Sequence, residues 1–366
     1  MFLNRLFSCA LVLMISKLVQ CHENYHYDNG IYDSLLRYAY ISKIAYCIDL
    51  LKDGHNLTEP IILKPKPLGF SQEGFASNDY AAQSQEEIVL QVAKLLHAPS
   101  TSHNQKAHTT SDDKNDGISE SPGYFAIDHS GSGTIILSLR GSVNLRDYFT
   151  DLNTRTFDYE PVSERAKLNF TECEGCKVHQ GFYKRFIDLE PQIFPTVEKL
   201  MEVFPDYKLL VTGHSMGGSL AILAGLEFAL MGYDPLIVAY GNPKVSNEPL
   251  SDYMDSLFLT DLIEKTIQED RELTSGCIRV VHNGDLVPMF PPGRKKFVQS
   301  GLEFFINKED LPHPKKSVEY WGKADTITHD SSYKVQDLFS FNMDKIFHLT
   351  QHREYFYNVV QCTDIK

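Results

Sequence analysis

Basic residues are the scarce charge in this 366-residue chain: 35 Lys and Arg stand against 48 Asp and Glu, a formal net charge of −13. An acidic surface repels phosphate backbones and anionic lipid headgroups, which argues against nucleic-acid binding and electrostatic adsorption to membranes. Long apolar runs are missing too. The stretch from Leu6 to Ile15 falls well short of the about 20 residues that cross a bilayer. Preceded by Asn4 and Arg5 and followed by Val19-Gln20-Cys21, it reads as the core of a signal peptide, residues 1–21. No later segment is long or apolar enough to suggest an integral membrane anchor, and no internal repeat is visible. Cysteine is sparse at seven residues. Loss of Cys9 and Cys21 with the leader would leave Cys47, Cys173, Cys176, Cys277 and Cys362, an odd set in an oxidising compartment.

What is present is ordinary globular composition, 42% hydrophobic, enough for a sizeable core. Residues 22–366 are expected to form a single domain with an insertion at about 70–122. A helix is predicted across Tyr32–Cys47 from its apolar face, and an amphipathic helix across Glu86–Ala98. Pro99–Glu120 is polar, lacks apolar periodicity and reads as a surface loop. Four β-type runs follow: Thr134–Leu139, Tyr207–Thr212, Leu236–Tyr240 and Ile278–His282, with helical patterns at Val197–Phe204 and Ser219–Met231. Near-continuous apolar strands alternating with helices imply a mostly parallel sheet covered on both faces. Ligands bind beyond the carboxyl ends of such strands. Those ends here read Arg140-Gly141-Ser142, Gly213-His214-Ser215, Gly241-Asn242-Pro243 and Asn283-Gly284-Asp285.

Gly213-His214-Ser215-Met216-Gly217 fits the nucleophile-elbow pattern, in which a strained serine sits on a sharp strand-to-helix turn. An apolar strand runs into it and Gly217-Gly218-Ser219-Leu220-Ala221 opens a small-residue helix behind it. The alternative is a structural serine in a glycine-rich turn. A serine nucleophile needs a base, and the base needs an orienting carboxylate, in the chain order Ser, Asp or Glu, His. Asp285 stands at the correct sheet edge, although an Asn-Gly-Asp turn would explain it as well. Four histidines follow: His313, His329, His348 and His352. His348 and His352 are spaced as a metal pair, but no third ligand is evident, and neither a metal nor an organic cofactor is expected. Cys173-Glu174-Gly175-Cys176 could bind zinc or act in redox chemistry, yet a second such pair is missing.

These segments together resemble the fungal class 3 lipases, secreted α/β-hydrolases of the Rhizomucor and Thermomyces type. The resemblance rests on Ser138-Leu139-Arg140-Gly141-Ser142, Val178-His179-Gln180-Gly181-Phe182, Val211–Ala221, Tyr240-Gly241-Asn242-Pro243-Lys244-Val245, His282–Pro292 and His352-Arg353-Glu354-Tyr355-Phe356. It implies an α/β-hydrolase fold with a short helical lid, and a triad of Ser215, Asp285 and His352. Backbone donors of Ser142 and Met216 would form the oxyanion hole. Residues 143–152 fall where the family keeps its lid, with Leu145, Tyr148 and Phe149 on the apolar side; periodicity alone would make this an ordinary surface helix. Leu286, Val287, Met289 and Phe290 would line an acyl groove or simply pack the core. The resemblance pairs Cys47 with Cys362 and Cys173 with Cys176, and leaves Cys277 as a thiol.

The implied activity is hydrolysis of carboxylic esters, foremost triacylglycerols, with a lipid or ester substrate met at an oil–water interface if the lid operates. Phospholipid, galactolipid and feruloyl esters are the alternatives, since the same triad serves them. A catalytically silent binding protein is the remaining reading. Secretion is expected, with the cell wall or a vacuole as other destinations of the same route, and Asn56 and Asn169 are glycosylation sequons.

Overall fold

The computed structural model describes residues 29–50, 60–63, 88–94, 122–142, 154–269, 272–291, 296–323 and 350–362. The leader, the Asn56 sequon, the lid segment, His329 and His348 lie outside them. Helix α1 (Asn29–Cys47) precedes strands β1 (Pro60–Leu63), β2 (Ile88–Lys94), β3 (Gly123–Asp128) and β4 (Thr134–Leu139). Short strands β5 (Thr156–Asp158) and β6 (Lys177–His179) bracket α2 (Glu164–Asn169) and pair with each other in a separate two-stranded sheet. The chain continues through α3 (Gln180–Val203), β7 (Lys208–His214), α4 (Met216–Leu230), β8 (Pro235–Tyr240), α5 (Glu248–Leu257), α6 (Thr260–Gln268) and β9 (Gly276–His282). Then come β10 (Leu302–Ile306), β11 (Val318–Lys323), the single turn α7 (Thr350–Arg353), and the hairpin of β12 (Glu354–Tyr355) with β13 (Tyr357–Asn358).

Among the described residues, nine strands join in the order β1-β2-β3-β4-β7-β8-β9-β10-β11. The inner five, β4 to β10, run parallel, and the flanking strands at both edges are antiparallel. Side-chain alternation divides the core. Leu210, Leu236, Val238 and Tyr240 face α1 and α6, whereas Leu209, Val211, Ile237 and Ala239 face α3 and α4. A period of two on a sheet covered from both sides dictates this split. Helix α4 is apolar on nearly its whole circumference, and thirteen of its residues are buried. A helix without a polar face has to be enclosed, and this one lies between the sheet and α3. The α/β-hydrolase fold expected from the sequence is the fold observed.

The predicted helix over Glu86–Ala98 is replaced by strand β2, which pairs antiparallel with β3 from Gln91↔Ile127 to Lys94↔Tyr124. Ile88, Val89 and Val92 are β-branched and favour the pleat, and β3 would otherwise present an open edge to solvent. A short apolar run does not by itself distinguish the two periods. Part of the stretch that reads as an insertion thus belongs to the main sheet.

Helix α1 is fastened to the sheet by strand hydroxyls that reach its backbone. Tyr124 and Ser138 both donate to the Ile41 carbonyl, at 2.7 and 3.2 Å, and Tyr240 donates to that of Leu35. Arg37 adds an ion pair with Asp128 at 2.6 Å. At the far end of α1, Cys47 is bonded to Cys362, 315 residues away, and a second disulfide joins Cys173 to Cys176. Cys277 is a buried free thiol whose ionisation burial pushes up to about 12. A cross-link closing so long a loop restricts the unfolded chain strongly. The double replacement Cys47→Ser, Cys362→Ser should therefore lower unfolding free energy by about 2–5 kcal/mol in urea titration. An unchanged midpoint would show that the link adds nothing.

Candidate active site

The carboxyl ends of β4, β7, β8 and β9 bring the sequence-derived candidates to one rim. Ser215 follows β7 at φ 58° and ψ −129°, a left-handed backbone that a non-glycine residue holds only under constraint. The constraint is visible. Ser215 N donates to the Tyr240 carbonyl at 2.8 Å, and Gly218 N donates to the Ser215 carbonyl at 3.0 Å. The turn also passes so near β4 that a Cβ on Gly217 would collide with the Leu139 carbonyl. The glycines of the motif are required because backbone occupies the space of a side chain.

Asp285, in the loop after β9, and His352, in α7, are both buried and bonded, Nδ1 to Oδ2, at 2.8 Å. The carboxylate is held further by the Val287 amide, which donates to Oδ1 at 2.9 Å, and by the Tyr355 hydroxyl, which donates to Oδ2. Gly241, at φ 55°, passes this cluster where a Cβ would stand 2.8 Å from Asp285 Oδ2. Gln299 ties the same exit loops together, donating to the carbonyls of Asn242 at 3.0 Å and Pro288 at 3.1 Å. Since Asp285 accepts at Nδ1 of His352, the proton sits there and Nε2 keeps its lone pair. That Nε2 and the Ser215 Oγ are both buried and have no partner among the described residues.

His214, between β7 and Ser215, lies against His352, with ring centroids 4.6 Å apart. Its Nε2 is 2.6 Å from the His352 carbonyl and its Nδ1 is 2.7 Å from the Tyr46 hydroxyl. A carbonyl only accepts, so Nε2 carries the proton and Tyr46 donates to Nδ1. Burial, then the neighbouring His352, hold the His214 ring well below the usual histidine range, and it stays neutral. The motif contains His214 and the histidine segment contains Tyr355, yet nothing in their spacing shows what they bond.

The Arg140-Gly141-Ser142 turn borders Ser215, since a Cβ on Gly141 would stand 2.9 Å from that of Ser215. Met216 opens α4, where first-turn amides have no helical acceptor and can serve an anion. Val287, Met289 and Phe290 are buried, and Met289 packs with Val281 and Phe305. Among the described residues, no group of His, Cys, Asp or Glu could hold a metal ion, and no helix is long and apolar enough to cross a membrane. Asn169 is exposed at the end of α2, and its amide donates to the Leu230 carbonyl at 2.7 Å.

A parallel sheet with a strained serine between strand and helix defines an α/β-hydrolase. The lipase (class 3) family model matches residues 136–295. LIH1 of Saccharomyces cerevisiae is 39% identical over 251 residues, covering 66% of this chain and 75% of LIH1. The secreted mono- and diacylglycerol lipase 2 of Gibberella zeae is 30% identical over 215 residues, and there the chain spans about half of the relative (51%) and 53% of itself is matched. The Lip2 lipase structure from Yarrowia lipolytica superposes with a TM-score of 0.61 at 24% identity, covering 92% of this chain and 96% of that one. The chain belongs to the class 3 lipase family and is a carboxylic-ester hydrolase.

The site's surroundings add a pH-dependent element to stability. His313 is buried beneath the C-terminal hairpin and accepts the Phe356 amide at Nδ1, 3.2 Å away. Burial, followed by the charges of His282 and Lys308, lowers its ring to about 3. An unfolded histidine titrates near ~6.5 and takes up its proton first as pH falls. The contribution of His313 is thus full above about 6.5 and is lost as pH falls from there toward about 3, with His214 acting in the same sense. Urea midpoints should drop between pH 7 and pH 4, and less steeply in His313→Asn. An equally steep drop in that variant would contradict the assignment.

Proposed function

We propose that Ser215, His352 and Asp285 act as the triad of a secreted lipase whose substrates are acylglycerols. The observation that carries the reading is the Asp285–His352 bond at the rim where the strained Ser215 sits. With its proton fixed at Nδ1, His352 accepts the serine proton at Nε2 while Oγ attacks the ester carbonyl. Backbone amides of Ser142 and Met216 receive the charge that develops on the carbonyl oxygen. The imidazolium formed at His352 is stabilised by Asp285, then passes its proton to the departing alkoxide. An acyl group remains on Ser215 until water, activated by the same histidine, releases the fatty acid.

The fatty-acyl preference rests on family membership and on the Gibberella zeae relative named for mono- and diacylglycerols. The reading of residues 1–21 as a leader, and the disulfide between Cys47 and Cys362, support the secretory route. In this reading residues 143–152 are the lid, and Leu145, Tyr148 and Phe149 are its apolar residues. Hydrolysis of p-nitrophenyl esters of increasing chain length, alongside triolein and a phospholipid, tests the substrate class; a preference for the phospholipid would overturn it. Ser215→Ala and His352→Ala should each lose on the order of 10³-fold or more in kcat while keeping the native unfolding transition. Retention of a tenth of the activity in either would remove that residue from the triad.

A further inference from the structure

Three residues before Asp285, at the end of β9, stands another buried histidine that the reaction does not use. His282 is fully buried, and both its ring nitrogens face backbone carbonyls: Nδ1 is 2.8 Å from the Gln351 oxygen and Nε2 is 2.8 Å from the Lys308 oxygen. Carbonyl oxygens only accept. A neutral imidazole has one N–H and would press a lone pair against the other oxygen, whereas an imidazolium donates to both.

Gln351 directly precedes His352, and α7 is one turn long. The last carbonyls of any helix lack internal partners, and a single turn has no propagation to stabilise it. Two of these carbonyls are met from outside by rings: His282 reaches that of Gln351, and His214 reaches that of His352. We infer that His282 is a positioning residue held as the doubly protonated cation, fixing the turn that presents His352 through the Gln351 carbonyl. This role rests on the assignment of His352 as the base.

The groups around the ring suit a cation. The His313 ring lies 4.5 Å away, accepting at Nδ1 and held neutral, and so offers a face rather than a competing charge. Tyr355 stands with its ring 5.9 Å off, and its hydroxyl accepts from the His282 backbone amide at 3.3 Å. Glu354 on β12 is raised by burial and lowered by the charge of His282, with Asp310 beyond it. Lys308 turns its ammonium to the Pro312 carbonyl at 2.7 Å, and Asp285 is engaged with His352 and Tyr355.

Two substitutions separate the clamps, because an asparagine amide stands in for Nδ1 and a glutamine amide for Nε2. His282→Asn keeps a donor for Gln351, and His282→Gln keeps one for Lys308. On a soluble short-chain ester, kcat should fall at least about tenfold further in His282→Gln than in His282→Asn, at similar KM, as misplacing a catalytic group costs rate rather than binding. Neutron diffraction from the unsubstituted protein at neutral pH should show deuterons on both His282 nitrogens. A single deuteron, or equal kcat in the two variants, overturns the proposal. His352→Ala measured alongside keeps the claims apart: if it is active, the base assignment falls and the positioning role with it. If it is inactive while the Asn and Gln variants match, the positioning role falls alone.

Discussion

The bond between Asp285 and His352 carries a burden that neither of its elements could bear unaided. Asp285 sits on a loop fed by a central strand and is fixed by the Val287 amide, the Tyr355 hydroxyl and the close pass of Gly241. His352 sits on four residues of helix, far too few to be stable alone. The histidine is therefore as well placed as the contacts that reach it from elsewhere. Asp285 holds its ring, His214 its carbonyl and His282 the carbonyl before it. Beyond it, Tyr355 is buried beneath Tyr240, and the chain is bonded to α1 at Cys47. Ordering a short segment costs conformational entropy for each residue fixed, and these external contacts offset it.

The opposite side of the site is rigid for a different reason. Ser215 is strained, and its strain persists because β4, β8 and α4 surround it too closely to let the turn relax. A glycine on each side is a packing necessity, and the buried apolar length of α4 anchors the turn to the core. Ser215 and His352 are thus immobilised by unlike means, one by a crowded backbone and one by polar contacts. His214 belongs to both sides. It ends the strand that carries Ser215, and its proton binds the carbonyl of His352. The neutral state imposed on it by burial is what allows a single ring to accept from Tyr46 and donate to His352.

Strands β4, β7, β8 and β9 were legible because each is a short apolar run ended by a turn signal, and the observed bounds differ by only a residue or two. The family was legible in the turns that follow them. Residues Ser215, Asp285 and His352 could be singled out by type, order and motif, whereas the bonds of Tyr46, His214, Tyr355 and His282 could not. Those bonds join segments that are as much as 168 residues apart, and no local pattern encodes them. Strand β2 was misread as a helix because both periods fit a short apolar run, and only its partner β3 decides between them. Strands β10 and β11 lie in a stretch of weak resemblance, and the pairing of β10 with β9 and of β11 with β10 is again not written in any local pattern.

The central claim is that one serine, held in a strained turn, is the nucleophile served by this externally supported base. Treating the native protein with an excess of an alkyl p-nitrophenyl phosphonate and mapping its peptides by mass spectrometry tests it most directly. The account predicts one covalent adduct per chain, on the peptide that contains Ser215, formed in step with the loss of esterase activity. Complete inactivation with the adduct on another residue, or a fully active protein carrying the adduct on Ser215, would contradict it.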